Sequence, residues 1–360
     1  MIVPAGDHTV QLLGARDLHT AFAAVNRAWC RALPDAGLRL VDADPDVLVH
    51  HDYSVRFGEA ALPPARCRVA VRPWDFGPYP RRWVQVVEEQ YDELWTFTDW
   101  GRACAVDGGL APERVRVVPL GVDLTAFVTD GPVHELTQQA ATTFLFVGAA
   151  VHRKGADVAV RAFLEAFDAS DDVRLVVKDH TGDLFYRGLS QRDEIREAAD
   201  RPGAAPVTYL DAYLPQPELA ALYRGATALV APSRAEGWAL PVQEAMACGT
   251  PAIVPDYGPF RTSCTPDSAV FVRSRRVRLP VQRAFVVNTL GFEEHVETVD
   301  ICETSIPALA AAMRDVVGWS EPRRRQRSRS ARAAAARHSW ASSAETVAAA
   351  VADLMGPWVG

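Results

Sequence analysis

Short apolar runs alternate with amphipathic stretches along this chain, and the alternation starts afresh near its middle. Val10–Leu13, Asp46–Val49, Arg68–Val71, Glu93–Phe97 and Val115–Val118 read as buried strands, with helical spacing over Ala21–Leu33 and Arg81–Tyr91. After the break, strand runs fall at Thr143–Val147, Arg174–Val177, Ala228–Ala231 and Ala252–Val254. Helical stretches lie at Ala156–Phe167, Pro217–Arg224 and Val242–Ala247. Strands separated by helices pair in parallel, because each crossover carries the chain back to the end of the sheet where the previous strand began, and the helices cover both sheet faces. The restart therefore predicts two α/β units, and 360 residues suit two. Pro119 and Gly121, within Val117–Asp123, punctuate the chain between them. The units are placed at residues 1–122 and 123–338, with a last amphipathic helix, Ala341–Leu354, inside 339–360. Open parallel sheets bind ligands beyond the carboxyl ends of their strands. The loops that follow strands, and a cleft between the units, are where chemistry is expected.

Composition narrows the classes. Hydrophobic residues at 49% and charged residues at 23% are ordinary for a soluble globular protein. A net charge of -7 argues against a general nucleic-acid binder. No apolar run approaches the roughly 20 residues of a membrane span, and the N-terminal residues do not read as a signal peptide. Six scattered cysteines with no C-x-x-C pair suit reduced, buried thiols in the cytoplasm. Lysine occurs only at Lys154 and Lys178, so 38 − 2 = 36 basic residues are arginine. An arginine-rich codon bias explains the 36; a position that keeps the compact ammonium under that bias is a candidate for needing it.

Two constellations carry chemistry. In Val147–Asp157 (V-G-A-A-V-H-R-K-G-A-D) a strand ends at Gly148 and a helix begins near Gly155, with Arg153 and Lys154 between. Two cations in such a loop can clamp a diphosphate and stabilise it as a leaving group. The plain alternative is a pair of solvated loop charges. In Ser233–Val254 (S-R-A-E-G-W-A-L-P-V-Q-E-A-M-A-C-G-T-P-A-I-V), Glu236 and Glu244 stand eight residues apart. Glu236 lies in a turn that Gly237 allows to be tight. The amides of Gly237, Trp238, Ala239 and Leu240 are candidates for ligand oxygens, and Pro241 pre-sets φ for the helix start. Glu244 then projects from the helix toward ribose hydroxyls, which a carboxylate accepts well. A carboxylate favoured by the helix macrodipole is the plain alternative; it suits one Glu and leaves the pair unexplained.

These segments resemble family-4 retaining glycosyltransferases (glycosyltransferase group 1, bacterial) of the GT-B fold. The carboxylate segment is similar to that family's Glu-x7-Glu signature, and F-L-F-V-G…R-K-G-A-D resembles its diphosphate loop. V-V-P-L-G-V-D-L-T-A-F resembles its linker, L-D-A-Y-L-P-Q-P-E-L-A-A-L-Y-R-G-A the stretch before its carboxylate loop, and R-H-S-W its C-terminal crossover. The resemblance spans roughly residues 65–355. It implies two Rossmann-like domains facing across a cleft, an acceptor domain first and a donor domain second, with the last helix packing back toward the first. It also implies transfer from a nucleotide-diphosphate sugar, as co-substrate, to a hydroxyl acceptor, a natural product or a cell-surface glycan. Configuration is retained, with no cofactor and no metal. By position, Arg153 and Lys154 meet the diphosphate, Glu236 the sugar and Glu244 the ribose. The base falls near Tyr209–Tyr213, and Lys178 and Asp179 end a strand facing the same cleft.

The first unit departs from the pattern. Where many members carry a Gly-Gly loop, the sequence reads L-L-G-A-R-D-L, with Gly14 alone. Where many have a cleft histidine, it reads V-R-P-W-D-F-G, with Arg72, Trp74 and Asp75; the candidate is His51, or His50 beside it. Trp74, Phe76, Tyr79, Trp83 and Trp100 either line an acceptor surface or pack the interior. A rival class is a non-catalytic nucleotide-sugar-binding subunit; another, a phosphorylase, needs a lysine-bound cofactor. Residues 273–300 suggest a β-rich insertion. Arg323–Arg337 reads as a solvated helix face, with a peripheral membrane contact as the sharper alternative.

Overall fold

The computed structural model describes residues 8–18, 20–52, 57–179, 190–281 and 296–356. Its first sheet is made of β1 (Thr9–Leu13), β2 (Arg39–Leu40), β3 (Val47–His50), β4 (Cys67–Val71), β5 (Glu93–Thr96) and β6 (Val115–Val117). They run in the order β2-β1-β3-β4-β5-β6, all parallel. Central β3 is buried through Val47, Leu48 and Val49, which is why it reads as an unbroken apolar run. The helix Ala21–Ala32 starts where the Thr20 hydroxyl accepts from the Ala23 amide, and it buries Ala23, Val25, Asn26 and Trp29.

The same unit takes in the end of the chain, from His338 onward. The helix Trp340–Met355 opens on a capping box between Ser339 and Ser342. Its Ser343 hydroxyl accepts from the Trp29 indole at 3.0 Å, across 314 residues. Close approach at this return requires Gly121: a Cβ there would lie 2.3 Å from the Trp340 amide nitrogen.

The second unit takes the other described residues from Val122 to Arg337, apart from Val296. Its sheet holds β7 (Thr142–Gly148), β8 (Val173–Asp179), β9 (Val207–Leu210), β10 (Ala228–Val230), β11 (Ala252–Pro255) and β12 (Ala269–Val272). The order is β12-β11-β10-β7-β8-β9, again all parallel. The chain builds outward from β7 through β8 to β9, then returns to the other side of β7 for β10, β11 and β12. The switch point therefore lies between β7 and β10, where ligands of such sheets bind. In the first sheet it lies between β1 and β3.

A separate antiparallel ribbon joins β13 (Ser274–Pro280) to β14 (Thr298–Thr304), in register from Ser274↔Thr304 to Pro280↔Thr298. This is the expected β-rich insertion at its two ends; residues 282–295 lie outside the described residues. The arginine run forms the helix Glu321–Ala336. Much of its charge is engaged locally. Arg324 donates to the Val317 and Trp319 carbonyls, Arg327 to Pro266, and Arg332 to Leu124, Phe127 and Ala247. Among the described residues no helix is long and apolar enough to cross a membrane.

Candidate active site

The site in the second unit is built from the loops after β7 and β10. Beyond β7, the Ala150 amide donates to the Asp179 carboxylate at 3.0 Å, and a single 3-10 turn carries His152, Arg153 and Lys154. Gly155 ends that turn at φ +75°, where a Cβ would stand 2.3 Å from the Pro232 carbonyl oxygen. Only glycine accepts both the left-handed backbone and that approach. The contact presses the cation loop onto the loop leading to Glu236.

Across that contact the predicted residues meet. Lys154 Nζ lies 2.6 Å from Glu236 Oε1, 82 residues apart in sequence. Arg153 lies 3.8 Å from Glu236 Oε2 and donates to the Ala235 carbonyl at 3.0 Å. The Ser233 hydroxyl adds a hydrogen bond to Glu236 Oε1 at 3.0 Å. Burial alone would raise the Glu236 pKa, but Lys154 and Arg153 outweigh it and hold the carboxyl below its ordinary value. Glu236 is therefore a buried carboxylate matched to two cations.

Glu244 stands on the helix Leu240–Ala247. Ala239 precedes that helix at φ +68°, a left-handed conformation that costs a residue with a Cβ roughly 1 kcal/mol. Pro241 occupies the first turn. The Tyr223 hydroxyl donates to Glu244 Oε2 at 2.9 Å. Burial pushes the Glu244 pKa up to about 7, against the lowering effect of the Tyr223 hydroxyl. No ion pair with Glu244 occurs among the described residues, so this carboxyl and Glu236 have opposite electrostatics. Gly237 and Leu240 are partly exposed, whereas Trp238 and Ala239 are buried.

Lys178, the other lysine, is buried near the end of β8, and its ammonium donates to the Asp179 carbonyl. Burial lowers its pKa. Asp179 accepts from both the Ala150 amide and the Tyr209 hydroxyl, the latter at 2.6 Å. Asp179, held by Tyr209, thus supports the loop after β7, and among the described residues Lys178 makes no hydrogen bond or ion pair with Glu236.

Gly14 and His51 follow β1 and β3 of the first unit, at that sheet's switch point. His51 Nδ1 donates to Asn26 Oδ1 at 2.6 Å, and Asn26 Nδ2 donates to the Ala15 and His51 carbonyls. Phe22, Trp29 and Phe97 surround the imidazole. It is 1% exposed, and burial, with His50 and Arg72 nearby, lowers its pKa to about 3. A Cβ at Gly14 would lie 2.1 Å from the His51 carbonyl oxygen. Gly14 and His51 Nδ1 thus make close contacts within the first unit, while His51 Nε2 has no hydrogen-bond partner among the described residues. Trp74, Phe76, Tyr79 and Trp83 are likewise buried, which favours their interior reading.

Several residues escaped the sequence reading. Arg234, inside the quoted motif, carries no spacing signal, yet it binds Asp157 through two hydrogen bonds of 2.8 Å. Tyr223, 21 residues before Glu244, becomes its partner only because their two helices pack together. Among the described residues no group of three His, Cys, Asp or Glu side chains gathers as a metal site.

Comparisons with known proteins bear on the family and the fold. Residues 134–274 match the family model of glycosyl transferases group 1. A D-inositol 3-phosphate glycosyltransferase 1 of Catenulispora acidiphila is 35% identical over 166 residues, 43% of this chain and 38% of that protein. The D-inositol 3-phosphate glycosyltransferase of Streptosporangium roseum is 37% identical over 161 residues, covering 43% and 37%. The chain spans less than two fifths of the length of these curated relatives in the matched region. Among solved structures, Anabaena Alr3699/HepE in complex with UDP and glucose has a TM-score of 0.69 at 11% identity, covering 96% of this chain and 99% of that one. The sucrose-phosphate synthase of Thermosynechococcus elongatus has 0.66 at 15% identity, covering 97% and 99%. The fold is GT-B, and residues 134–274 match the glycosyl transferases group 1 model, as the resemblance of the motifs implied.

Proposed function

We propose that the protein is a retaining glycosyltransferase that moves a sugar from a nucleotide-diphosphate sugar to a hydroxyl of a small-molecule or glycan acceptor. The observation that carries this is the convergence of Lys154 and Arg153 on buried Glu236 at the switch point between β7 and β10. In this reading Arg153 and Lys154 bind the diphosphate and neutralise the charge that grows on it as the bond to the sugar breaks. Glu236 exchanges part of its ion pairing for hydroxyls of the donor sugar. Glu244 takes the ribose hydroxyls on the oxygen that Tyr223 leaves open. The acceptor attacks the face the diphosphate leaves, and its proton passes to the departing phosphate, so neither a base from the protein nor a metal is invoked. Six free cysteines, four of them buried, support a reducing, cytoplasmic setting. UDP bound to the Anabaena neighbour and the inositol phosphate in the relatives' names define the first donors and acceptors to try.

Glu236→Ala and Lys154→Ala are each expected to cut turnover by about 10²-fold or more. Transfer at the wild-type rate by either variant would sink the assignment. A second reading, a nucleotide-sugar-binding subunit without chemistry, is favoured by the packing of Gly14 and His51 into the first unit. Release of nucleoside diphosphate from a donor sugar by the purified chain separates the two, since a pure binder releases none.

A further inference from the structure

We infer that Arg234 is a positioning residue that locks the cation loop to the carboxylate loop and so holds Lys154 against Glu236; this rests on the donor-site reading above. Arg234 sits two residues before Glu236 and is 6% exposed. Its guanidinium crosses to the other loop. Nη1 donates to the His152 carbonyl at 2.6 Å and to Asp157 Oδ1 at 2.8 Å, and Nη2 donates to Asp157 Oδ2 at 2.8 Å. Its backbone makes the same crossing, with the Arg234 amide donating to the Arg153 carbonyl at 2.7 Å. The main chain before Lys154 and the Asp157 side chain after it are therefore both tied to Arg234, just before Glu236.

The charge of Arg234 is spent inside this arrangement. Asp157 takes the bidentate face, and Glu303 of β14 lies 3.5 Å from Nε. Burial alone would lower the Arg234 pKa, but the two carboxylates outweigh it and hold it above the ordinary value. Burial would likewise raise that of Asp157, and Arg234 holds it down. With two carboxylates against one guanidinium, Arg234 offers little charge to a diphosphate, so its contribution is geometric. A planar fork spans a carbonyl and both oxygens of a carboxylate at once; a lysine ammonium cannot. The lock reaches the ribbon as well. The Cys302 amide of β14 donates to the Arg234 carbonyl at 2.7 Å, and Glu303 faces the side chain. The β13–β14 ribbon thereby braces the carboxylate loop as well.

The test compares wild type with Arg234→Lys and with the double variant Arg234→Gln/Asp157→Asn, which removes the buried ion pair whole and leaves only the partly exposed Glu303 without its guanidinium. Hydrogen exchange is read at the Lys154, Gly155 and Arg234 amides, against amides of β7 and β8 as internal reference. The double variant should exchange about tenfold or more faster at the loop amides, as for loss of a charge-assisted hydrogen bond, with the sheet unchanged. Arg234→Lys should fall between. Affinity is then measured for UDP and GDP and for uridine and guanosine. The lock predicts about a tenfold or greater loss for the diphosphate, with nucleoside binding kept, because the Glu244 pocket is untouched. Wild-type loop exchange in the double variant, or equal losses for diphosphate and nucleoside, would overturn the inference. Should the wild-type chain bind neither diphosphate, the donor reading fails, and the exchange measurement still decides the lock.

Discussion

Glu236 and Glu244 show how far one residue type can be driven in two directions within eight positions. Two cations hold Glu236 ionised, whereas Glu244 has a tyrosine hydroxyl and burial, which raises its pKa to about 7. The folded chain therefore binds a proton at Glu244 that the unfolded chain has released near its ordinary value of about 4.5. Stability linked to Glu244 is fully present below that value and is lost as pH rises to about 7. Glu244→Gln should match wild type in Tm near pH 4 and exceed it by about 3 °C or more at pH 8. A gap independent of pH would refute this. The sequence showed the two carboxylates and their spacing. It could not show the difference in their ionisation, because Lys154 and Tyr223 reach them from distant segments.

At the scale of elements, the arginine helix Glu321–Ala336 is the instructive case. Read along the chain, it is a charge run. Folded, Arg332 donates to the Phe127, Ala247 and Leu124 carbonyls at 2.6, 2.8 and 3.2 Å. The Ala247 carbonyl is at the C-terminal end of the Glu244 helix, where the macrodipole favours a cation. Arg332→Ala should destabilise the protein by about 2 kcal/mol in urea denaturation, since it leaves carbonyls unpaired. Arg325, paired with Glu321 on the exposed surface, should cost under about 0.5 kcal/mol on the same change. Equal effects would show that burial does not distinguish them. Central strands were legible because both faces are covered, which leaves a continuous apolar run. The edge strands β9 and β12 were not identified, and β9 is only partly buried throughout.

Over the whole molecule, the return of the last helix to the first unit links positions that are remote in sequence. Val347, 1% exposed on that helix, belongs to the interior containing Trp29. Val347→Asp should lower the first unit's stability by about 3 kcal/mol or more, because it buries an unpaired charge. Loss of the near-ultraviolet signal of the buried tryptophans should accompany it; an unchanged melt and spectrum would contradict the packing. Periodicity by itself determined the two α/β units, the places of their central strands and the helix at the end, because apolar spacing records which face is buried. The motifs also located the two loops that carry Arg153, Lys154, Glu236 and Glu244. Only the tertiary structure decided what those loops do to each other. Parallel strand order sets β10 beside β7, Gly155 lets the loops touch, and Arg234 joins them. It also decided that His51 packs inside its own unit, because burial and hydrogen-bond partners depend on segments that no local pattern records.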